Sequence, residues 1–428
     1  MKTRMIVAVL AGTCVGRAAL SQLSSEGAPP APTVDWRQAE SAMLGEPVQL
    51  TFPERFAKAG EAYFSPDGRR VIFQAVAAPK EGETADPFYA MYVADLSRNV
   101  EGRAFALENI RRVSPAGSAN TCGWFDPVRP DEVIFGSTLV KPSDDQKSGF
   151  QVGTRKYQWM FPSEMEIVLA HLTADDAPVA TPTAMFALPN YDAECSFSSD
   201  GRFVLYTHVE DAPKDLPEGT PHRSDGNIYI YDTVTRVQHP IVVAPGYDGG
   251  PFFSPDGKSI CYRSDRAGND LLQIYVADLK FEKDAGGSLI PVGVEREYQL
   301  TNNEHVNWCP YWHPSGKYLV YGTSEVGHFN YEVFAIGVDR EAMAKAAETT
   351  IEGQTVDATS AWHARVTHAP GADILPAFST DGTLMMWTAQ RGADGKGHPS
   401  SQLWIARWRV PSSLTPRDVL RDASLGGH

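Results

Sequence analysis

Carboxylates and amides recur at one fixed position in this sequence, five residues before an aromatic residue that opens a turn motif. The six copies of this position are Ala59, Asn120, Asp192, Asp248, Asn307 and Asp373. Because a repeated position comes to one level of a repeat fold, the polar members are predicted to surround one opening. Their oxygens are hard ligands suited to Ca²⁺ or Mg²⁺, or to a ligand's ammonium group. The five polar residues are therefore candidate ion- or ligand-binding residues, and the three aspartates are candidate metal ligands.

The same row of side chains also has a structural interpretation. Asp and Asn accept hydrogen bonds from nearby backbone amides, which would use these oxygens within their own strand starts. Both interpretations stay open on the sequence alone, and Ca²⁺ is the one candidate ion. Glu61 and Glu194, three residues before their aromatics, are predicted to add negative charge deeper in the same opening.

Patterns that would indicate catalysis are weak. The Gly-x-Ser-x-Gly turn that exposes the nucleophile of many serine hydrolases does not occur in the chain. None of the 11 histidines forms a His-Glu-x-x-His spacing, and His313 replaces a serine in a turn motif, which predicts that it points away from the opening. We therefore expect a non-enzymatic protein. The alternative is a metal-dependent lyase or hydrolase, which needs at least three His, Asp or Glu side chains converging in the opening.

Four cysteines follow the N-terminal region: Cys122, Cys195, Cys261 and Cys309. An even number in an exported protein permits disulfides. However, Cys122 and Cys309 fill the same position in the second and fifth repeats, on opposite sides of a ring, and a bridge requires Cα atoms within about 7 Å. The sequence favours buried free thiols.

An insertion at Lys141–Ser163 concentrates aromatic residues, with Tyr157, Trp159 and Phe161 close together. An exposed cluster of this kind is typical of an interaction site, because large apolar patches are uncommon on monomers. The alternative is that the insertion folds down as a cover on its own repeat. These three aromatics are candidate interaction residues.

The elements that position these residues are short strands. Each turn motif reads aromatic, Ser or His, Pro or a small residue, Asp or Ser, and Gly, which suits a tight hairpin. Five copies occupy 64–68, 197–201, 253–257, 312–316 and 378–382, and a degenerate copy occupies 125–131. Three β-rich segments accompany each motif. Six units of four strands predict an all-β fold, a six-bladed β-propeller of antiparallel blades.

Closure of this ring requires a strand from the other end of the chain. The last unit lacks a fourth strand, and Val48–Thr51 has the matching pattern, so we predict that it pairs beside Gln402–Trp408. Closure removes two exposed strand edges. The remaining length is assigned to loops, including 280–296, and to an insertion at 340–360 that contains a short helix at Glu341–Ala347.

The segments 253–258, 263–270 and 273–278 resemble the TolB-type β-propeller repeat, which occurs in secreted and periplasmic bacterial proteins. The resemblance covers roughly residues 48–410, and segments 246–254 and 306–314 are similar to a stand-alone, exported branch of that group. It implies a propeller fold, a periplasmic or secreted location, and binding of a protein or peptide partner of the cell envelope.

The ends of the chain read as accessory segments. Residues 1–21 are predicted to be a signal peptide, 22–47 a leader with a short peripheral helix, 48–410 the propeller and 411–428 a tail. Thr13 before Cys14 departs from a lipoprotein box, so a lipid anchor there is not favoured. The net charge of −15 argues against nucleic acid as a partner. No later segment is long and apolar enough to predict a transmembrane helix.

Overall fold

A computed structural model describes residues 35–143, 149–151, 156–158, 161–172, 181–210, 225–359, 363–392 and 397–409. The predicted signal peptide with Cys14, residues 22–34 of the leader and the predicted tail lie outside these ranges. From Trp36 onwards the described residues belong to one compact unit. Among them, no helix is long and apolar enough to cross a membrane.

Six antiparallel sheets form a ring, which confirms the predicted six-bladed propeller. From the innermost strand outwards, blade 1 consists of Phe56–Phe64, Arg70–Ala77, Ala90–Arg98 and Ala104–Arg112. Blade 2 consists of Asn120–Phe125, Glu132–Ser137, Glu166–His171 and Thr183–Ala184. Blade 3 consists of Tyr191–Phe197, Phe203–Glu210, Asp225–Asp232 and Gln238–Val242.

The second half of the ring follows the same order. Blade 4 consists of Asp248–Phe253, Ser259–Ser264, Gln273–Lys283 and Leu289–Gln299. Blade 5 consists of Asn307–Trp312, Tyr318–Thr323, Glu332–Gly337 and His363–Arg365. Blade 6 consists of Asp373–Phe378, Leu384–Arg391, Gly397–Trp408 and, outermost, Leu44–Gln49.

The remaining elements are two helices, a fifth strand on blade 4 and a small hairpin. The helices are Trp36–Glu40 and Arg340–Glu348. Val356–Asp357 adds to blade 4 in parallel with its outer strand. The hairpin, Gly149–Gln151 with Lys156–Gln158, lies within the 141–163 insertion.

The turn motifs join the first and second strands of the blades as their composition predicts. In blade 1, the Asp67 carboxylate accepts hydrogen bonds from Ser65 Oγ at 2.6 Å and from the Arg69 amide at 3.0 Å, and Gly68 takes a φ of 67°. In blade 5, His313 Nδ1 lies 2.9 Å from Ser315 Oγ, so the imidazole makes the turn hydrogen bond that a serine hydroxyl makes in blade 1. His313 stacks on Tyr318 with ring centroids 4.4 Å apart, and burial lowers its pKa to about 4.

The predicted closure is also confirmed. Val48 pairs with Ile405 and Gln49 with Trp404 in the outermost position of blade 6. The closing strand begins at Leu44, within the segment assigned to the leader, because Leu44 and Gly45 also pair with the last strand.

The preceding helix is not a peripheral decoration, contrary to the sequence-based expectation. Trp36 is only 4% exposed and packs edge-on against Trp404 at 6.3 Å between ring centroids. Glu40 accepts two hydrogen bonds from the buried Arg391 guanidinium, each 2.9 Å long. A buried ion pair and an aromatic contact thus fasten the N-terminal helix to blade 6.

Two insertions have more structure than loops. The stretch expected as a loop at 280–296 is mostly a hairpin, whose Phe281, Ile290 and Val294 pack against the core between blades 3 and 4. Apolar burial therefore extends these strands beyond their repeat length. The predicted short helix is confirmed as Arg340–Glu348, with Asp339 as its N-cap. The four predicted thiols are buried and free, also as expected.

Candidate functional site in the central channel

The three aspartates of the predicted ring are buried, and each is bound by a basic side chain of its own blade. Asp192 Oδ1 lies 2.9 Å from His208 Nδ1, and Asp248 Oδ1 accepts from Arg266 Nη2 at 2.7 Å. Asp373 is bound by the Arg391 guanidinium. Burial raises the pKa of Asp248 to about 6, although Arg266 opposes the shift.

The side chains of the two asparagines in the row are also engaged in hydrogen bonds within the protein. Asn120 Nδ2 donates to the Tyr89 carbonyl at 2.8 Å, and Asn307 Oδ1 accepts from Thr323 Oγ1 at 2.8 Å. In the described ranges, no three His, Cys, Asp or Glu side chains are grouped so that they could hold a metal ion. The calcium site at Asp192, Asp248 and Asp373 stays a prediction that the described geometry does not support.

The alternative function, a metal-dependent lyase or hydrolase, also requires at least three converging His, Asp or Glu side chains. Because the described part of the chain does not contain such a group, nothing in its geometry favours that alternative.

The aromatic insertion is described only in part. The Tyr157 side chain and Trp159 lie outside the residues whose side chains are described. Phe161 is half-buried and packs on Tyr191 and Tyr247, with ring centroids 5.0 and 5.7 Å away. The C-terminal end of the insertion therefore lies beside Tyr247, a residue of the central channel.

A second row, two residues further along each innermost strand, makes a β-bulge in every blade. Its members have positive φ values between 40° and 59° and are Glu61, Cys122, Glu194, Gly250, Cys309 and Leu375. The strand register shifts at each of these positions. For residues other than glycine this conformation costs about 1–3 kcal/mol each. We call these six residues the collar.

The bulges bring collar residues of neighbouring blades into contact. Cys122 Sγ donates to Glu61 Oε1 at 2.9 Å, and the Gly250 amide donates to Glu194 Oε2 at 2.5 Å. The Leu375 amide donates to Cys309 Sγ at 3.3 Å. The six collar residues are therefore joined in three pairs, across blades 1 and 2, 3 and 4, and 5 and 6.

Gly250 leaves room in the collar for a side chain from the next strand. A Cβ atom at position 250 would overlap the guanidinium of Arg263. Arg263 thus occupies the sixth place in the ring of side chains, where it is 13% exposed.

Glu194 is the centre of a compensated polar network. Its Oε1 accepts from Arg263 Nη2 at 3.1 Å and from the Tyr247 hydroxyl at 2.6 Å. Thr207 Oγ1 donates to Oε2 at 3.0 Å. The carboxylate has an opposite charge and several donors, which is what a mostly buried carboxylate requires.

Glu61, the equivalent residue of blade 1, forms no ion pair among the described residues. Its donors are the Cys122 thiol at 2.9 Å, the Tyr63 hydroxyl at 3.2 Å and the Thr121 hydroxyl at 3.5 Å. Burial raises the pKa of Glu61 and the charge of Glu194 adds to the shift, while the Cys122 hydrogen bond and the more distant charge of Arg263 oppose it only in part. The pKa of the Cys122 thiol is also raised by burial, so this donor is neutral.

Aromatic side chains close the channel next to the collar. Tyr63, Trp124, Phe252 and Tyr311 come from the position directly before each turn aromatic, and their ring centroids lie 5.1–6.3 Å apart. We call them the plug. Tyr63 joins the two layers through its hydrogen bond to Glu61. The plug makes the channel a dead end.

On the other side of the collar, half-buried residues form the mouth of the channel. Lys58 Nζ lies 4.2 Å from the centre of the Tyr89 ring, and Arg263 lies 6.0 Å from that of Trp308. Burial, and then the charge of Glu61, raise the pKa of Tyr89 to about 12. The mouth combines aromatic surface with charge of both signs.

Sequence reasoning placed Glu61 and Glu194 in the channel but missed the residues that distinguish them. Arg263, Tyr247 and Tyr89 lie outside the innermost strands or at irregular positions, so the repeat alignment gives them no special place. Gly250 is the one available signal: among the collar positions it alone lacks a side chain, which indicates that another group fills the space.

Comparisons with known proteins agree with this architecture. Over 192 residues, 45% of this chain, the sequence is 26% identical to the Tol-Pal system protein TolB of Helicobacter pylori strain ATCC 700392 / 26695. The protein of the same name from strain HPAG1 matches equally. The matched region spans about a third of these relatives, 35% of their length. No protein-family model matches the chain.

Two solved structures are similar over most of the chain. The putative TolB from Agrobacterium tumefaciens is 17% identical with a TM-score of 0.43, covering 84% of this chain and 92% of that one. An oligogalacturonate lyase from Vibrio parahaemolyticus is 11% identical with a TM-score of 0.43, covering 86% and 94%.

The ring of four-stranded blades, closed by the N-terminal strand, defines the class of the protein as a six-bladed β-propeller. Within that class, the chain is similar in sequence to TolB over 192 residues.

Proposed function

We propose that this chain is an exported, non-enzymatic propeller that binds a protein or peptide partner of the cell envelope at its channel mouth. The observation that carries the proposal is the dead-end channel: the plug closes one side, and the mouth offers Tyr89, Tyr247 and Trp308 around charged groups. Aromatic residues and arginine are the residue types enriched at the centres of protein interfaces.

Two further facts support this assignment. The relatives from Helicobacter pylori are named as proteins of the Tol-Pal system. The charged groups of the mouth are held rigidly by the collar network, and preorganised groups lose little entropy when a partner binds. Export to the periplasm or beyond follows the predicted signal peptide and the resemblance to TolB-type proteins.

Site-specific photo-crosslinking tests the location of the partner. A p-benzoylphenylalanine placed at Trp308 samples the mouth, and the same residue at Phe105 samples the outer strand of blade 1, where Phe105 is 47% exposed. In cells that express the full chain, we expect a discrete protein adduct from position 308 and none from position 105. Equal adducts from both positions, or none from position 308, would overturn the proposal.

A further inference from the structure

Glu61 is the one carboxylate of the collar that lacks a cation. Its partners are a thiol and two hydroxyl groups, while Glu194 is paired with Arg263 at 3.1 Å. In the described part of the chain, no Lys, Arg or His forms an ion pair with Glu61. The residue is nevertheless only 8% exposed, so its charge is poorly solvated by water.

This arrangement is costly at two levels. A buried carboxylate without an opposite charge loses several kcal/mol of solvation relative to water. The backbone at Glu61 also takes a φ of 40°, which favours glycine or asparagine over glutamate. Strained and poorly compensated groups of this kind concentrate at binding sites, where a ligand supplies what the protein lacks.

Two basic residues of the mouth, Arg263 and Lys58, are engaged elsewhere, Arg263 in its ion pair with Glu194. Lys58 Nζ lies 4.2 Å from the centre of the Tyr89 ring, and burial lowers its pKa. Lys58 therefore marks a path for a cation along an aromatic face towards Glu61, without itself reaching the carboxylate. Aromatic faces attract ammonium groups through the negative potential of the ring.

The shape of the collar limits the cation to a slim one. The plug begins directly beyond Glu61, at Tyr63, and the Arg263 guanidinium already fills the space beside Gly250. A group that arrives from the mouth must end at the carboxylate. A primary ammonium on an unbranched carbon chain fits this requirement, and its three N–H donors suit the weakly engaged Glu61 Oε2.

We propose that Glu61 is the recognition group for a primary ammonium of the bound partner, carried by a lysine side chain or an amino terminus. The inference rests on the proposed function, in that it names the chemistry by which a partner at the channel mouth is held.

Titration with n-butylammonium, followed by ligand-observed NMR, tests the site without any knowledge of the partner. We expect saturable binding to the wild-type chain, and none with n-butanol, which has the same carbon chain without the charge. Glu61→Gln should weaken binding at least about tenfold, because it keeps the shape and removes the charge. Glu108→Gln, an exposed glutamate on the outer strand of blade 1, is the matched control and should bind as wild type does.

Absence of saturable butylammonium binding, or equal binding by Glu61→Gln, would overturn the inference. Lys58→Met tests whether binding depends on Lys58, the protein's own ammonium group at the mouth. Butylammonium binding should persist or tighten in this variant, and loss of binding would contradict an ammonium site centred on Glu61. The two proposals fail separately. Crosslinking from position 308 without butylammonium binding removes only the ammonium site, and the reverse result removes only the location of the partner.

Discussion

Glu61 and Glu194 occupy the same repeat position, on the same kind of bulge, in blades 1 and 3. Glu194 is held by Arg263, Tyr247 and a backbone amide, whereas Glu61 is held by neutral donors alone. The difference shows that a fold repeat fixes where a side chain lies but leaves its electrostatic environment to residues outside the repeat. It also separates a carboxylate that stabilises the collar from one that is available to a ligand.

Loss of Arg263 should have the largest effect on this comparison. Arg263→Met leaves Glu194 mostly buried without a cation, and breaking such a pair costs about 3–5 kcal/mol. Chemical denaturation should show this loss in the free energy of unfolding. Arg103→Met, which removes the partner of the exposed Glu46 in a surface pair, should cost less than about 1 kcal/mol. Equal effects would mean that Arg263 does not compensate Glu194.

Gly250→Ala should cause the second-largest loss in the free energy of unfolding. The new Cβ would overlap the Arg263 guanidinium and displace it from Glu194. Gly257→Ala is a matched control, because Gly257 has a similar φ of 68° and open space around it. Both variants pay about 1 kcal/mol for the backbone conformation. Gly250→Ala should lose about 1–2 kcal/mol more, and equal losses would contradict the role given to the empty position.

Glu61→Gln should have a smaller effect of opposite sign. Because the folded-state pKa of Glu61 is raised, the folded state holds its proton more tightly than the unfolded state does. Stability therefore falls as pH rises from the ordinary glutamate pKa to the raised one, and stays lower above it. At neutral pH, Glu61→Gln should therefore raise the free energy of unfolding by about 1 kcal/mol. The variant should also show a weaker pH dependence of stability.

Glu194→Gln is the counterpart of that variant. It leaves Arg263 without its partner and should destabilise the chain at the same pH. If Glu61→Gln and Glu194→Gln change the free energy of unfolding in the same direction, the two glutamates are not electrostatically distinct.

Calcium should have the smallest effect. Asp192, Asp248 and Asp373 are bound to His208, Arg266 and Arg391 within their own blades, so an added ion finds no free carboxylates among them. We expect the melting temperature to be unchanged by Ca²⁺ in excess. A rise that disappears in the double variant Asp192→Asn/Asp248→Asn would instead support the calcium site predicted from the sequence.

The blades, the aspartate row and the bulges differ in how well the sequence predicts them. The turn motifs predict the blades and the closing strand because local turn chemistry and strand alternation determine both. The partners of the aspartates were not predicted, because His208, Arg266 and Arg391 lie 16, 18 and 18 residues after their aspartates, beyond the turn motif on which the repeat alignment rests. The bulges were missed for a related reason: Glu, Cys and Leu do not indicate a positive φ, and only Gly250 carries a signal for it.

The 280–296 hairpin and the N-terminal helix illustrate the same limit. Both lie outside the repeat: the hairpin was expected to be a loop, and the helix was expected to be peripheral. Their stability comes from apolar and ionic contacts with blades distant in sequence, such as Trp36 with Trp404, which no local pattern encodes.

The central claim is that Glu61 serves binding at the channel mouth at a cost to stability. The most direct test measures both quantities on one variant: the adduct yield from p-benzoylphenylalanine at position 308, and the free energy of unfolding, in Glu61→Gln. The account predicts a yield reduced at least about tenfold in a chain that is no less stable than wild type. An unchanged yield in a chain that has become less stable would contradict it, because Glu61 would then be a structural residue of the collar.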